Sequence, residues 1–345
     1  MSVLPRVSVV IVTWNGRGLL ERFLPSVLAT DYPDLEVVVA DNASTDSTAE
    51  WLASAFPTVR VVRHKENGLF ARGNNEAVPH TTGPYLCLLN NDVEVPPDWL
   101  RPLVAVLEGD RGVAAVQPKL LQHVERTRFE YAGAAGGFLD RYGYPFTRGR
   151  LFTTLEDDHG QYDTPRDVCW ATGAAFLIRR EAWDLEGGLD ERFGMHMEEI
   201  DLCWRLWRRG LRVRAEPAAR VYHLGGASLP QGDPRKAFLN FRNSLLMLYK
   251  NLPPTTWRRV GRARRVLDGV AATRARLGGN AAEADAIRRA WKEARTIFPH
   301  YRDTRPADGA PDALPFYRGS IVSDYFLRGR RHFSDLPADR FTASR

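Results

Sequence analysis

Polar side chains follow three apolar stretches of the sequence, and their types suit the binding of a polar ligand. They are Thr13 and Asn15, Asp41 and Asn42, and Asn90, Asn91 and Asp92. A single polar strand end is usually only a turn, which is the commonest place for Asn and Asp. Three such ends on one edge of a sheet converge on the same place, and this predicts a binding site there.

The apolar stretches alternate with helix-compatible segments at the spacing of crossover connections. We predict strands at 7–13, 35–40, 59–62, 85–89 and 114–116, and helices at 19–28, 44–56, 68–78 and 99–107. The first strand is β-branched and nearly all apolar, which is typical of a parallel sheet covered on both faces. The alternation predicts a doubly wound α/β sheet, in which ligands collect at the carboxyl ends of the strands.

The composition indicates a folded protein that does not span a membrane. Its 345 residues are 44% hydrophobic, enough for one large α/β domain or two smaller ones. No N-terminal stretch resembles a signal peptide and no apolar run approaches the ~20 residues that cross a bilayer, so we expect a cytoplasmic protein. Cys87, Cys169 and Cys203 are far apart and odd in number, which predicts buried thiols instead of disulfides or a CxxC zinc site.

The positive charge is concentrated near the end of the chain. Residues 250–345 carry 20 Lys and Arg against 10 Asp and Glu, net +10, whereas the remaining 28 and 32 give residues 1–249 a net charge of −4. A basic helix predicted at 257–277 has three open interpretations: a solvated helix packed on the rest of the protein, a helix at an anionic membrane surface, or a nucleic-acid patch. Because interleaved aromatics are missing, we expect no nucleic-acid partner.

A dinucleotide-binding fingerprint is the nearest alternative for such an α/β start. Gly16-Arg-Gly18 is followed by Leu-Leu-Glu21 where a third glycine should stand. The fingerprint is broken, which argues against a hydride-transfer enzyme.

Eight segments over residues 7–251 resemble, in the expected order, family 2 glycosyltransferases of the GT-A fold, and within them the rhamnosyltransferase-like branch. They are VSVVIVTWNG (7–16), VVVADNASTDST (37–48), NGLFARGNNEA (67–77), LLNNDVEVPPDWL (88–100), WATGAAFLIRREAW (170–183), MHMEEIDLCWRLWRRG (195–210), VYHLGGASL (221–229) and FRNSLLMLYKN (241–251). The resemblance implies a GT-A catalytic domain at 1–250, with a nucleotide-sugar half at about 1–118 and an acceptor half at about 119–250. We predict a basic, mainly helical extension at 251–345.

The resemblance also implies a divalent cation, Mg²⁺ or Mn²⁺, as cofactor. Asn90-Asn91-Asp92 stands at the family's DxD position, so Asp92 is the expected ligand. Such a cation neutralises the departing nucleoside diphosphate, and Mg²⁺ typically takes one or two carboxylates together with phosphate oxygens and water. His223, at the end of the short strand predicted at 220–223, is implied as a further metal ligand or diphosphate contact, although a His after a strand is often incidental.

Several residues are implied at the donor nucleotide. Asp41 is expected to accept the N3–H of uracil or thymine, a donor that cytosine lacks. The other residues expected beside the nucleotide are Thr13, Asn15, Arg72, Asn75, Asn90 and Asn91. An ordinary exposed arginine is an equal alternative for Arg72.

The acceptor half must supply a base, because a sugar hydroxyl is a poor nucleophile until its proton is taken. The family's base, usually Asp, corresponds here to Glu199, with Glu198 in reserve. Trp170 and Gly173 resemble the wall against which the acceptor sugar lies, although a Trp buried in the core is an equal alternative.

These inferences predict an inverting, metal-dependent glycosyltransferase. It would move one sugar, with dTDP-rhamnose favoured and UDP-sugars open as donor, to a hydroxyl of a cell-surface glycan or lipid-linked precursor. A GT-A-like module that only binds nucleotide sugars or glycans is the alternative, and the acids at positions 92 and 199 argue against it.

Overall fold

The computed structural model describes residues 4–225, 232–310 and 314–342. The strands in these ranges are β1 (Val7–Thr13), β2 (Leu35–Asp41), β3 (Arg60–Arg63), β4 (Tyr85–Leu89), β5 (Val93–Glu94), β6 (Val113–Gln122), β7 (Gly137–Leu139), β8 (Pro145–Thr147), β9 (Arg150–Leu151), β10 (Thr154–Leu155), β11 (Arg166–Asp167), β12 (Ala175–Arg179) and β13 (Arg212–His223). The α-helices are α1 (Arg17–Leu28), α2 (Thr48–Ala55), α3 (Leu69–Ala77), α4 (Leu100–Gly109), α5 (Arg180–Glu186), α6 (Glu198–Arg208), α7 (Pro234–Asn251), α8 (Pro254–Leu277), α9 (Ala281–Ile297) and α10 (Ile321–Phe326).

The main sheet is mixed, with the strand order β11-β13-β6-β12-β4-β1-β2-β3 and with β5 paired to β13. Strands β4, β1, β2 and β3 are parallel, β12 runs antiparallel to β4 and β6, and β13 runs parallel to β6. Because β1 lies between β4 and β2, the carboxyl ends of these three strands are neighbours. The predicted convergence of their polar ends is confirmed. A second, small sheet has the order β10-β9-β8-β7.

The sheet is covered on both faces, as the continuous apolar strands predicted. Val9 and Ile11 of β1 belong to an apolar cluster with helices α1 and α4, whereas Val10 belongs to a cluster on the other face with α3 and α6. Alternate side chains of a strand point to opposite faces, so a strand between two helix layers must be apolar at nearly every position. The three cysteines are buried in these layers.

Strand β13 is longer than the short strand predicted from the sequence. It extends from Arg212 to His223, and its pairing with β6 shifts register between Glu216 and Arg220. Pro217 lies in the shifted part, and proline lacks the N–H that a regular ladder needs. Because the proline interrupts the strand pattern, the sequence predicted only the end of this strand, residues 220–223.

Residues after Asn251 pack against the core formed by the residues before it. Tyr317 forms a β-bridge with Asp140, and the rings of Phe333 and Phe341 lie 5.5 and 5.2 Å from that of Phe138. The C-terminal region is helical, as predicted, but it shares one apolar cluster with the sheet. A domain boundary near residue 250 stays a prediction.

Candidate active site

A cavity of about 1090 Å³ opens at the carboxyl-terminal edge of the main sheet. Nine of the residues predicted for the site line it: Thr13, Asn15, Asn90, Asn91, Asp92, Gly173, Glu198, Glu199 and His223. They come from strand ends, from the loop before β12 and from the start of helix α6. The structure therefore brings the expected metal and base residues together in one cavity with four of the expected donor residues.

The loops that follow β1 and β4 are tied to each other at the cavity wall. Asn91 Nδ2 donates a hydrogen bond of 2.9 Å to Thr13 Oγ1. A Cβ atom at Gly16 would lie 2.2 Å from Thr13 Oγ1 and 2.6 Å from Asn91 Nδ2, so a larger residue there would have to displace both side chains. Asn15 joins the loop after β2, because its Oδ1 accepts a hydrogen bond of 2.7 Å from the Thr45 N–H.

Asp92, His223 and Glu130 form a buried row of alternating charge at one side of the cavity. His223 Nε2 lies 3.0 Å from Asp92 Oδ1, and His223 Nδ1 lies 3.2 Å from Glu130 Oε1. The exposed fraction of all three residues is 5% or less. The backbone fixes Glu130 in turn, because its Oε2 accepts a 2.6 Å hydrogen bond from the Ala132 N–H.

The row keeps its acids ionised. Burial alone would raise the pKa of Asp92 and of Glu130, but the imidazolium of His223 outweighs it and the pKa of each carboxyl group is lowered. Burial alone would lower the pKa of His223, but Glu130 and Asp92 outweigh it and raise that pKa to about 10. Opposite charges at this distance favour the charged form of each partner.

The pair Asp92 and His223 fits a divalent cation that takes the place of the Nε2 proton, because a histidine binds a metal only through a deprotonated ring nitrogen. Their oxygen and nitrogen lie side by side on the cavity wall, and Glu130 occupies the far ring nitrogen, as a carboxylate commonly does behind a metal-bound histidine. Among the described residues no cluster of three or more carboxylate, imidazole or thiol groups is placed to hold a metal. A cation here would have few protein ligands, which suits Mg²⁺ or Mn²⁺ completed by phosphate oxygens and water.

Glu198 and Glu199 form the second acidic group of the cavity. Unlike Asp92 and Glu130, they have no protonated histidine beside them in the described part of the chain. The Oε2 atoms of both glutamates and Nε2 of His196 are buried without a hydrogen-bond partner among the described residues. Burial and the neighbouring Glu199 raise the pKa of Glu198 well above its usual value. Burial raises the pKa of Glu199 to about 7, although the Gly173 N–H works in the opposite direction.

The neighbouring imidazole cannot supply the missing positive charge. Burial lowers the pKa of His196 to about 4, so this side chain is neutral at physiological pH. The described part of the cavity thus places two glutamates with raised pKa values beside a neutral histidine.

The loop before the two glutamates is clamped by helix α7. Asn243 Nδ2 donates to three backbone carbonyl oxygens, those of Phe193 at 2.9 Å, Met195 at 2.8 Å and His196 at 2.7 Å. His196 and Met197 both have left-handed backbone angles, with φ of 71° and 73°, a region that disfavours side chains. Asn243 stabilises this bend, which gives the segment 241–251 a structural role that its sequence did not reveal.

Four predicted site residues do not line the cavity. Asp41 is buried at the end of β2, where its Oδ1 accepts a 3.2 Å hydrogen bond from the Ser44 N–H. Arg72 pairs with Glu66 and Glu76.

The other two make structural contacts. Asn75 Nδ2 donates to the Leu189 carbonyl at 2.8 Å, and Trp170 is a buried residue whose Nε1 donates to the Phe138 carbonyl at 3.1 Å. The ligand-binding roles of these four residues stay predictions. Trp170 is buried in the core, which is the alternative that the sequence left open.

Sequence reasoning missed Glu130 and His196. Glu130 lies outside the eight quoted segments, between Phe129 and Tyr131, and nothing in its local pattern marks it as a functional acid. His196 stands inside a quoted segment, but a single histidine before two glutamates carries no spacing signal. The segment 221–229 is described only as far as Gly225, and its remainder lies outside the described residues.

Comparison with known proteins identifies a family and a fold. Residues 8–183 match the model of "Glycosyl transferase family 2". The O-antigen biosynthesis protein RfbC of Myxococcus xanthus is 31% identical over 252 residues, which cover 69% of this chain but only 19% of that protein. The N-acetylglucosaminyl-diphospho-decaprenol L-rhamnosyltransferase of Mycobacterium tuberculosis is 30% identical over 239 residues, which cover 64% of this chain and 76% of that protein.

A solved structure supports the predicted architecture. The crystal structure of GalNAc-T7 with UDP, GalNAc and Mn²⁺ aligns with a TM-score of 0.59 at 20% identity, covering 91% of this chain and 59% of that one. The GT-A fold is confirmed. No helix among the described residues is both long enough and apolar enough to cross a bilayer.

Proposed function

Because the chain belongs to glycosyl transferase family 2, we propose that it transfers one sugar from a pyrimidine nucleotide to a hydroxyl group, with inversion at the anomeric carbon. One observation carries the proposal: a glutamate with a pKa of about 7 and an unpartnered buried oxygen lines the same cavity as the Asp92–His223 pair. A base poised near neutral pH and a cation site are the two requirements of this chemistry.

In this proposal Asp92 and His223 would hold a divalent cation, which would displace the Nε2 proton of His223. When bound, the cation supplies positive charge to the diphosphate that leaves. Glu130 fixes the His223 ring through its second nitrogen, and Asn90, whose Nδ2 is 3.5 Å from His223 Nε2, borders the same place. The wall formed by Thr13, Asn15 and Asn91 would contact the nucleoside, with Asp41 behind it selecting uracil or thymine.

Glu199 would act as the base. Its carboxylate takes the proton of the acceptor hydroxyl as the acceptor oxygen bonds to the anomeric carbon, and the bond from that carbon to the diphosphate oxygen breaks. A single displacement inverts the configuration and needs no protein nucleophile. Burial and the neighbouring Glu199 raise the pKa of Glu198, which favours its protonated form and would limit the repulsion between two carboxylates.

We propose dTDP-rhamnose as donor and a hydroxyl of a cell-surface glycan or its lipid-linked precursor as acceptor. The support is the named rhamnosyltransferase and O-antigen relatives, each about 30% identical. UDP-sugars are the second candidate, because a carboxylate at Asp41 would accept uracil as readily as thymine.

Thermal unfolding with dTDP, UDP and GDP, each with and without Mn²⁺, tests the donor class. We expect dTDP to raise the melting temperature most, only with Mn²⁺, and GDP to have no effect. Release of dTDP from dTDP-rhamnose then tests catalysis. A pure binding module would show the same thermal shift but release no dTDP, and that result would overturn the enzymatic proposal.

A further inference from the structure

The outward face of helix α8 carries a concentration of positive charge. Six of its arginines are exposed: Arg258, Arg259, Arg262, Arg265, Arg274 and Arg276. The single acid of the helix, Asp268, is buried, so the outward face of Pro254–Leu277 has no carboxylate of its own. Within the described residues, Arg258, Arg259, Arg262 and Arg265 have no carboxylate within 4.0 Å, whereas Arg276 lies 3.8 Å from the exposed Asp285.

The inner face of the same helix is fixed to the protein. Asp268 accepts hydrogen bonds from Tyr144 at 2.6 Å, from Arg264 at 3.2 Å and from Trp291 at 3.0 Å. Arg264 also donates to Ser244 Oγ of helix α7 at 2.8 Å. This buried pair explains why one arginine of the helix faces inward, and it fixes the helix so that the face with the other six is turned to solvent.

Apolar side chains are exposed among these arginines. The exposed fractions are 66% for Val266, 62% for Val270 and 85% for Leu277. At the end of helix α10, Phe326 and Leu327 add 42% and 82%. Arg274 lies over the Phe326 ring at 4.8 Å, so the two helices contribute to one surface. We call these five apolar residues and the six exposed arginines the basic face.

We propose that the basic face docks on a membrane surface that carries anionic lipid headgroups. Arginines are attracted to the negative surface potential of such lipids, and bulky apolar side chains between them insert at the boundary of headgroups and acyl chains. The sequence of α8 alone offers mostly Val and Ala, but the fold brings Phe326 and Leu327 to the same surface. A symmetric contact with a second copy would set arginines against arginines, which disfavours it.

The basic face lies close to the cavity. Phe326 packs on Phe152 with ring centroids 4.9 Å apart, and Thr153 and Leu155 of the same β9–β10 segment line the cavity wall. The role of docking rests on the proposed function: it would bring the cavity to the membrane in which a lipid-linked acceptor lies. Vesicle binding itself requires neither donor nor turnover, so its failure is separable from failure of the transferase proposal.

Flotation of the full chain with vesicles tests the inference. We expect binding to vesicles of phosphatidylglycerol and phosphatidylcholine, weakening as salt is raised, and none to phosphatidylcholine alone. The triple variant Arg259→Gln, Arg262→Gln, Arg265→Gln should lower the partition coefficient on the order of 100-fold. Leu327→Ser should lower it several-fold, and because that side chain is exposed, folding should be unaffected.

A matched variant separates the basic face from net charge. Arg6→Gln, Arg63→Gln, Arg101→Gln removes the same charge from exposed arginines of the sheet half and should leave vesicle binding unchanged. Equal losses in both triple variants would overturn the proposal. So would a chain that stays unbound in the presence of phosphatidylglycerol, a dimer in sedimentation that the first triple variant dissociates without any vesicle binding, or tighter binding to tRNA than to vesicles.

Discussion

The two acidic groups of the cavity are both buried, yet they are built in opposite ways. Asp92 and Glu130 share a protonated histidine, and the pKa of each carboxyl group is lowered. Glu198 and Glu199 have the neutral His196 beside them, and their pKa values are raised. Burial acts in the same direction on all four acids, so the difference lies in whether a positive charge is placed within reach. The first group is prepared to stay ionised and the second to exchange a proton near neutral pH.

Under the proposed function, this contrast would let one cavity provide both a cation site and a base. A cation needs deprotonated ligands, which Asp92 already is and which His223 becomes by releasing its Nε2 proton, whereas a base must be able to accept a proton and release it. A positive charge placed beside Glu198 and Glu199, instead of beside Asp92 and Glu130, would reverse the pKa shifts of the two groups. The following experiments test whether the two groups are as different in function as they are in structure.

The largest effect is expected from the ionised group. Asp92→Asn removes the carboxylate that would hold the cation, and we expect kcat/KM to fall at least ~1000-fold. Release of nucleoside diphosphate during a Mn²⁺ titration measures it. Asp31→Asn, an exposed acid of the same half, is the control and should behave like the unaltered protein. Turnover by the Asp92 variant in the presence of a chelator would remove the cation from this site.

The proton-exchanging group should give the next largest effect. Glu199→Gln cannot accept a proton, so kcat should fall roughly 100- to 10,000-fold with donor affinity unchanged. In the unaltered protein the pKa of about 7 predicts a rate that rises with pH up to about 7 and then levels off, because only the carboxylate form acts as a base. The pH–rate profile of the variant should be flat. If Glu198→Gln gives the larger loss instead, the roles of the two glutamates are reversed.

A smaller effect is expected from the acid behind His223. Glu130→Gln removes the charge that orients the imidazole, and we expect the affinity for Mn²⁺ to fall about 10- to 100-fold. Electron paramagnetic resonance of free Mn²⁺ in the presence of dTDP measures this without turnover. Glu125→Gln changes an exposed glutamate of the same loop and is the matched control. Unchanged affinity in the Glu130 variant would show that its contact with His223 is only structural.

The smallest effect concerns stability. A carboxyl group whose pKa is raised in the folded state binds its proton more tightly there than in the unfolded chain, so folding loses stability as pH rises above the unfolded value of about 4.5. Glu198→Gln removes this loss, and the melting temperature should rise by roughly 1 to 3 °C at pH 8 but hardly at pH 4. Thermal unfolding at both pH values measures it, with Glu125→Gln as control. A decrease at pH 8 would indicate that the ionised Glu198 has a partner that stabilises the fold.

The sequence allowed prediction of those parts of the site that follow from local pattern. Strands such as β1 are apolar at nearly every position because both faces are buried, and the polar residues that end them must lie at one edge. Asn90 and Asp92 could therefore be assigned to that edge from the sequence alone. The family resemblance added Glu198 and Glu199, at the start of helix α6, to the same site.

The remaining parts depend on contacts between distant segments, which leave no periodic signal. Glu130 acquires its role only because the chain after β6 turns back toward the end of β13. Phe326 and Leu327 look like an ordinary helix end until α8 is placed beside them. Arg72 and Asn75 show the converse: the resemblance implies a place beside the nucleotide for both, but Arg72 pairs with Glu66 and Glu76, and Asn75 donates to the Leu189 carbonyl.

The clamp that Asn243 forms on three carbonyl groups has a consequence for engineering. Since Asn243 of helix α7 holds the backbone of residues 193–196, this loop and the helix form one structural unit. A chimera that takes only this loop from a relative of different specificity would lack the helix that holds the loop in its conformation. An exchange that carries helix α7 along with the loop should transfer the new preference intact.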